Sequence, residues 1–352
     1  MARLSQLIRS DIRSRNLRPG DRYLTTEEVA ERMEVAKGTA NRAMQELARE
    51  NVLIRNRKLG TFVGDAITPD PASIDLVCLL VRRSYYMNER HRLNEVLSGV
   101  LSVLGQASVQ LSLAPDDHEM MFAERLVRTN RTNAFKVGYL IASKSSQVQS
   151  FFYQEDLPAL VMGTPFPHGE RMPSIDMDQE AIGQEIFRAA LATGRRRFAV
   201  ILRDRRGFGD DLMLNAITAE AMREGLSAGD LIVRSVPSDP ELAVGSVQHL
   251  LNMPDRPDAI ICRSRVLLTA AREAVRAAGY TSMQAPLLFS TDQLPVEDHA
   301  GVCASIAPAV TAAEQGRRMG EMLSAIMAGV EPDPVHVAID VLLKDHSQAD
   351  KH

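Results

Sequence analysis

Hydrophobic positions along the chain follow two different rhythms. In the first sixty-five residues they recur every three or four places. Leu4, Leu7, Ile8 and Ile12 make one stripe, which predicts an amphipathic helix over 2–15. LRPGD (17–21) interrupts it, because Pro and Gly continue a helix only at a cost. In TTEEVAERM, Thr25 and Glu28 have capping-box spacing and predict a short second helix. Residues 34–37 read as a turn. VAKGTANRAMQELARE (35–50), apolar at 40, 43, 44, 47 and 48, reads as a third helix. VLIR (52–55), the polar NRKLG (56–60) and TFVG (61–64) predict a β-hairpin. Three helices followed by a hairpin is the order of a winged helix-turn-helix.

Beyond the hairpin the rhythm changes. AITPDPAS (66–73) is polar and Pro-containing, so the domains expected are a head at 1–66, a linker at 67–73 and a body at 74–347. In the body, apolar runs of strand length alternate with helical stripes. The strands are IDLVCLLV (74–81), SVQLSLA (108–114), FKVGYLIA (135–142), LPALVMG (157–163), RFAVILR (197–203), LIVRSV (231–236), DAIICRS (258–264) and PLLFST (286–291). Helices fall at 90–105, 118–130, 180–194, 210–225, 240–252, 266–279 and 308–328. Repeated βα predicts a mostly parallel sheet with helices on both faces. The body is long enough for two such lobes, so the fold class is α/β: a winged head followed by a two-lobed body.

Composition narrows the function. The chain has 352 residues and is 45% hydrophobic, with both charge signs mixed, as suits a multi-domain globular protein. Its net charge of −4 is unevenly spread: residues 1–64 hold 13 Lys/Arg and 8 Asp/Glu (+5), and the remainder 28 and 37 (−9). A basic head on an acidic body suits a head that meets phosphate. No apolar run has the length of a membrane helix, and MARLSQLIRSDIRSR lacks a secretory apolar block. Three widely separated cysteines in apolar surroundings, Cys78, Cys262 and Cys303, read as buried thiols in a reducing cytoplasm. The eight histidines have no metal-ligand spacing, and P-loop, nucleophile-elbow and His-Glu metal motifs are absent from the sequence. No metal, cofactor or catalytic group is therefore expected, and the protein is not expected to be an enzyme.

A recognition helix turns its N-terminal residues toward base edges and phosphates in the major groove. In the third helix those residues are Lys37, Gly38, Thr39, Asn41 and Arg42, while Arg55, Arg57 and Lys58 load the hairpin. Here the sequence resembles a family. LRPGDRYLTTEEVAERMEVAKGTANRAMQELARENVLIRNRKLGTFVG is similar to the DNA-binding domain of GntR-type bacterial regulators, and TANRA is especially like their histidine-utilisation branch. The resemblance adds Thr26 at the start of helix two, and Gly60 and Thr61 in the closing GTFV, to the DNA-binding set. Two positions depart from it. Glu28 stands where the family often has Arg, and Lys58 replaces the first Gly of the wing.

The body resembles the ligand domain of LacI/GalR-type repressors, which is periplasmic-binding-protein-like. The resemblance rests on PSIDMDQEAIGQEIFRAALATGRRRFAVI, DAIICRSRVLLTAAREAVRAAGY, PLLFSTD and the tail IAPAVTAAEQGRRMGEMLSAIMAGVEPDPVHVAIDVLLKDHS. It implies lobe crossovers near 173, 304 and 332 and a ligand in the cleft at the carboxyl ends of the strands. It nominates Arg82, Ser84, Tyr85, Ser143 and Ser145 from loops after the first and third strands, and Met213, Ser264, Arg265 and Asp292 from aligned ligand positions. Asp178 matches the family's crossover aspartate. Met213 and Ala216 replace the family's Arg and Gly, and Ser264-Arg265 replaces Asn-Asp, so a standard monosaccharide is not expected. The resemblance implies a cytoplasmic repressor, a homodimer on a palindromic double-stranded operator, controlled by a sugar or related metabolite and independent of membranes. A body that only dimerises or docks another protein is the alternative.

Overall fold

A computed structural model describes residues 2–15, 17, 19–56, 59–64, 74–105, 107–132, 135–167, 172–237, 239–280 and 284–346. The expected linker at 67–73 lies outside them. The head comprises α1 (Ala2–Ser14), β1 (Arg22–Tyr23), α2 (Thr26–Arg32), α3 (Lys37–Arg49), β2 (Leu53–Asn56) and β3 (Gly60–Val63). Its antiparallel sheet has the order β1-β3-β2. Leu4, Ile8 and Ile12 of α1 meet Val29 of α2 and Ala40, Ala43, Met44 and Leu47 of α3 in one core. Leu7, counted in the stripe, is 47% exposed, on the margin of the buried face. The capping box at α2 is formed: Glu28 N–H donates to Thr25 Oγ1, and Thr25 N–H donates to Glu28 Oε2. Buried Asp11 ties three elements together, accepting from Tyr23 Oη at 2.9 Å and Arg32 Nε at 2.7 Å. The sequence pattern did not mark β1, whose two residues follow directly on the Pro-Gly break.

In the body β4 (Leu76–Arg82), α4 (Arg83–Leu104), β5 (Ser108–Ala114), α5 (Glu119–Arg131), β6 (Val137–Ala142), α6 (Ser146–Gln154), β7 (Ala159–Met162) and β8 (Ser174–Met177) build most of a first lobe. A second lobe follows with α7 (Gln179–Ala192), β9 (Phe198–Arg203), α8 (Phe208–Arg223), β10 (Leu231–Val236), α9 (Pro240–Leu251), β11 (Ala259–Cys262), α10 (Arg265–Ala277), β12 (Leu287–Ser290) and β13 (Ala304–Pro308). The chain then returns to the first lobe for α11 (Ala312–Met327) and β14 (His336–Ile339), and ends in the second with β15 (Val341–Asp345). The sheets run β5-β4-β6-β7-β8-β14 and β10-β9-β11-β12-β13-β15; every pairing is parallel except β13 with β15.

Each sheet is covered on both faces, and the two-residue period of a strand divides its side chains between them. Val77, Leu79 and Val81 pack on α4 and α11, whereas Cys78 and Leu80 pack on α5 and α6. In the second lobe Phe198, Val200 and Leu202 face α7 and α8, and Ala199 and Ile201 face α9 and α10. Helices α4 and α11 approach so closely that only glycine fits at their crossing. A Cβ on Gly99 would lie 1.9 Å from the Ala313 carbonyl oxygen, and one on Gly316 1.9 Å from that of Val96. Cys78 and Cys262 are buried, as expected, and Cys303 is half-buried. Among the described residues no helix is long and apolar enough to cross a membrane.

The chain passes between lobes at Asp178, between Pro308 and Ala312, and at Asp340. These points lie a few residues beyond 173, 304 and 332, because 174–177, 304–308 and 336–339 are still paired strands of the sheets they leave. The crossings are bonded side by side: Asp178 N–H donates to the Ile339 carbonyl and Ala309 N–H to that of Asp340. Together they form a three-segment hinge. Two further differences concern the first lobe. Helix α4 begins directly after β4 rather than at residue 90, and α6 was not anticipated, although Ser145 caps it and Val148 and Phe152 bury its apolar side.

Candidate DNA interface and interlobe cleft

On the head, Lys37, Gly38, Thr39 and Arg42 are exposed and Asn41 is half-buried, all on the first turns of α3. Ala36 supplies no side-chain cap, so the first amides of α3 stay available to an anion. A Cβ on Gly38 would meet nothing within 4 Å, leaving room for close backbone approach. Arg55 of β2 donates to Asn41 Oδ1 at 2.9 Å and to Thr26 Oγ1 at 3.1 Å. It thereby joins the wing, α2 and α3 through the Asn41 amide oxygen and the Thr26 hydroxyl. Lys37 pairs with Glu27, which is exposed and holds it along the surface. Thr61 is 6% exposed, on the buried face of β3, and Gly60 stands beside Arg22 at the turn. Arg57 and Lys58 lie outside the described residues.

In the body the lobes meet across a dense polar cluster at the carboxyl ends of the strands. Its centre is Asp210 near the start of α8, 1% exposed. Asp210 accepts from Arg263 Nε at 2.5 Å, from Lys144 Nζ of the first lobe at 2.7 Å and from the Gly207 N–H at 2.9 Å. Arg263 also donates to Gln179 Oε1 at 2.8 Å and Thr291 Oγ1 at 3.2 Å, and Gln179 continues to Asp176, which Thr164 also donates to. Burial alone would raise the Asp210 pKa; Arg263 and then Lys144 outweigh it and hold the carboxyl well below its usual range. Burial, reinforced by Arg203, lowers Lys144 to about 7 despite Asp210. Arg205 adds a second bridge between lobes, donating to the Asp116 carbonyl and to Asp117.

The nominated ligand residues scatter around this cluster. Ser84 lies in the first turn of α4 and donates to Asp116; Tyr85 Oη accepts from Arg92, which also donates to Gln315. Ser143 is buried and accepts from the Ser145 N–H, while Ser145 and Ser264 cap α6 and α10. Arg265 pairs with Asp298, and its N–H donates to Asp292 Oδ2. Arg82 ends β4, half-buried. Asp178 caps α7. Met213 is corrected: it is fully buried among Ile182, Ile186 and Phe187, and a Cβ on Gly183 would lie 2.4 Å from its carbonyl oxygen. The side chain fills the α7–α8 packing and does not reach the cleft. A cavity of about 360 Å³ opens at the hinge edge, lined by Thr164, Asp176, Gln179, Phe208, Leu212 and His336 among others; none of the nominees lines it.

Spacing did not point to Lys144, Arg203, Asp210 or Arg263. Three of them sit just past or at the end of a parallel strand: Lys144 two residues beyond β6, Arg203 at the end of β9, Arg263 directly after β11. Applying the strand-end rule to every strand, instead of the first and third, would have found these three. Among the described residues no cluster of three or more His, Cys, Asp or Glu could hold a metal ion.

A winged helix-turn-helix joined to a hinged two-lobed parallel α/β body defines a DNA-binding protein with a ligand-binding type of body. Residues 1–63 match the family described as "Bacterial regulatory proteins, gntR family". The HTH-type transcriptional regulator AglR of Rhizobium meliloti (strain 1021) is 25% identical over 52% of this chain and 51% of its own length, so the chain spans about half the length of the curated relative it matches. A regulatory protein of the LacI family from Chloroflexus aggregans superposes with a TM-score of 0.64 at 19% identity, covering 76% of this chain and 96% of that one. The complex of the transcriptional regulator CelR with cellobiose gives 0.65 at 19% identity, covering 92% and 98%. The head is thus a GntR-type DNA-binding domain, and the body has the fold of LacI-family regulators.

Proposed function

We propose that the protein is an effector-controlled transcriptional repressor that binds a palindromic operator as a homodimer in the cytoplasm. The observation that carries the reading is the coupling, in one chain, of a helix with exposed, basic first turns to a two-lobed body joined by three adjacent crossing segments. The fold shared with a cellobiose-bound regulator supports a small hydroxylated metabolite, a sugar or a relative of one, as effector. Ligand closes or reopens the lobes, changes the separation of the two heads, and so removes one head from its half-site, since half-sites sit about one helical turn apart. By linkage, operator DNA weakens ligand binding by the same factor.

The edge strand β5 supports dimerisation: Val109, Leu111 and Leu113 are exposed along one face, with Val103 and Met121 also exposed on the neighbouring helices. Leu111→Asp is expected to convert a dimer to monomer in sedimentation velocity and to weaken operator binding. The regulatory reading is tested by fluorescence anisotropy on DNA from upstream of the protein's own gene, with and without a metabolite panel. Unchanged operator affinity while ligand saturates the body sinks it. A second reading has its own observation. The Lys144–Asp210–Arg263 cluster ties the lobes together directly, as suits a body locked closed that only dimerises. Absence of any thermal shift across the panel supports that reading.

A further inference from the structure

The two lobes have the same strand order, β5-β4-β6-β7-β8 and β10-β9-β11-β12-β13. Strands β4 and β9 therefore occupy equivalent places, and each ends on an arginine, Arg82 and Arg203. Both arginines stand at carboxyl strand ends, where ligands of open α/β sheets bind. Arg203 lies within electrostatic range of Tyr85, Glu89 and Lys144 from the opposite lobe. The Nε of each is buried and has no hydrogen-bond partner. Among the described residues neither side chain makes an ion pair, whereas Lys144, Arg263, Arg92, Arg265 and Arg205 around them are all engaged.

No nearby carboxylate among the described residues makes a hydrogen bond or ion pair with either guanidinium; Asp210, within electrostatic range of Arg203, is taken up by Arg263 and Lys144. Glu119, buried against Ser143, is the acid within range of Arg82; burial pushes its pKa up, and its Oε1 has no partner. Glu89, within range of Arg203, is likewise raised by burial and then by Asp292. One guanidinium per lobe thus stands at the carboxyl end of an equivalent strand, each with a buried Nε that has no acceptor. A guanidinium fork matches the geometry of a carboxylate or phosphate, and donor and charge are satisfied together by such an oxyanion.

We propose that Arg82 and Arg203 form a two-lobed oxyanion clamp, so that the effector is a small metabolite carrying a carboxylate or phosphate group. This rests on the cleft being the effector site. One anion held from both lobes draws them together, and without it the two cations oppose closure. The clamp distinguishes this cleft from one built for a neutral sugar.

The test uses full-length protein, with thermal midpoints read by circular dichroism and affinities by calorimetry, at constant ionic strength. Inorganic phosphate and oxalate are the minimal probes; glucose 6-phosphate, galacturonate and neutral glucose and galactose follow. Wild type is compared with Arg82→Met, Arg203→Met, the double variant, and the Arg→Lys pair, which keeps charge and loses the fork. Phosphate, oxalate or both raise the wild-type midpoint, and the shift disappears in the double variant. An effect of phosphate alone identifies a phosphorylated effector, and of oxalate alone a carboxylated one. Each Met variant weakens the anionic sugar by at least about tenfold, and the Lys variants also lose affinity. Arg203→Met is expected to leave the ligand-free midpoint close to that of wild type, because the half-buried side chain loses no hydrogen bond at its buried Nε. No oxyanion shift in wild type, or equal shifts in wild type and double variant, overturns the clamp. Release of operator by a neutral sugar, independent of both arginines, overturns it while leaving the regulatory reading intact. Arginine-dependent binding with unchanged operator affinity keeps the clamp and removes the regulatory reading.

Discussion

Asp210→Asn removes the one negative charge that Arg263 and Lys144 share, while keeping the shape of the side chain. The carboxylate is 1% exposed and both of its cationic contacts lie within 2.7 Å. Removing one partner of a buried pair costs about 3–5 kcal/mol, because the other charge stays desolvated. Part of that is relieved here. Lys144 already sits at about 7 and sheds its proton readily once Asp210 is neutral. Arg263 cannot, so we expect a net loss of about 2–4 kcal/mol. Lys144→Met leaves the Arg263–Asp210 pair in place and should cost at most about 1 kcal/mol, as for a partly exposed pair. The chain has no tryptophan, so urea unfolding is followed by far-ultraviolet circular dichroism at pH 7.5. The double variant closes the cycle and isolates the Lys144 contribution. If Asp210→Asn destabilises no more than Lys144→Met, the cluster is not the structural centre of the cleft.

Linkage gives a second prediction. Lys144 is depressed to about 7 from the ordinary lysine range, so between pH 7 and 10 the unfolded chain binds more protons, and stability rises with pH across that window; Lys144→Met should flatten the slope in urea midpoints taken at pH 7, 8 and 9. Asp210 has the same sign in a lower window, since its pKa is also depressed and its stabilising contribution is present above about pH 4 and lost as the pH falls below it; Asp210→Asn should be the less acid-sensitive protein. On the head, Arg42→Ala should weaken operator binding and reduce the salt slope by about 1, as for one lost phosphate contact, while Asn41→Ala should relax base preference in a site-selection assay. Wild-type behaviour from both variants places α3 outside the groove. Gly316→Ala drives a methyl into the Val96 carbonyl and should cost about 1–3 kcal/mol as an overpacked contact, visible as a lower thermal midpoint; a neutral result means α4 and α11 separate freely.

The helical stripes and βα alternation were readable because burial imposes its period on sequence. Thr25 and Glu28 announced α2, and Ala40, Ala43, Met44 and Leu47 announced the buried side of α3. Short elements were harder. Strand β1 has two residues, and α6 carries Ser and Gln where a long helix would show a stripe. The hinge was displaced by a few residues because a crossing strand and the strand before it have the same apolar texture. Site residues were least readable in the cleft. Met213 occupied a position expected to bind ligand, but side-chain length and polarity decided its place in the core. Arg263 and Asp210 are distant in sequence and meet only through the topology of β11 and α8. Asn41 and Arg42 could be nominated together because they lie on one helix, where local spacing is three-dimensional neighbourhood.

The three-segment hinge also dictates an order of synthesis. Because α11 and β14 belong to the first lobe and β15 to the second, neither lobe has all its parts until the ribosome has passed residue 339. The head, complete by residue 64, needs nothing that follows. A chain interrupted between α4 and α11 therefore carries a finished DNA-binding head and an unfinished body, with the glycine face of α4 uncovered. Such a fragment would keep a folded head on an unfinished body, so the last strands to emerge act as the checkpoint for both lobes.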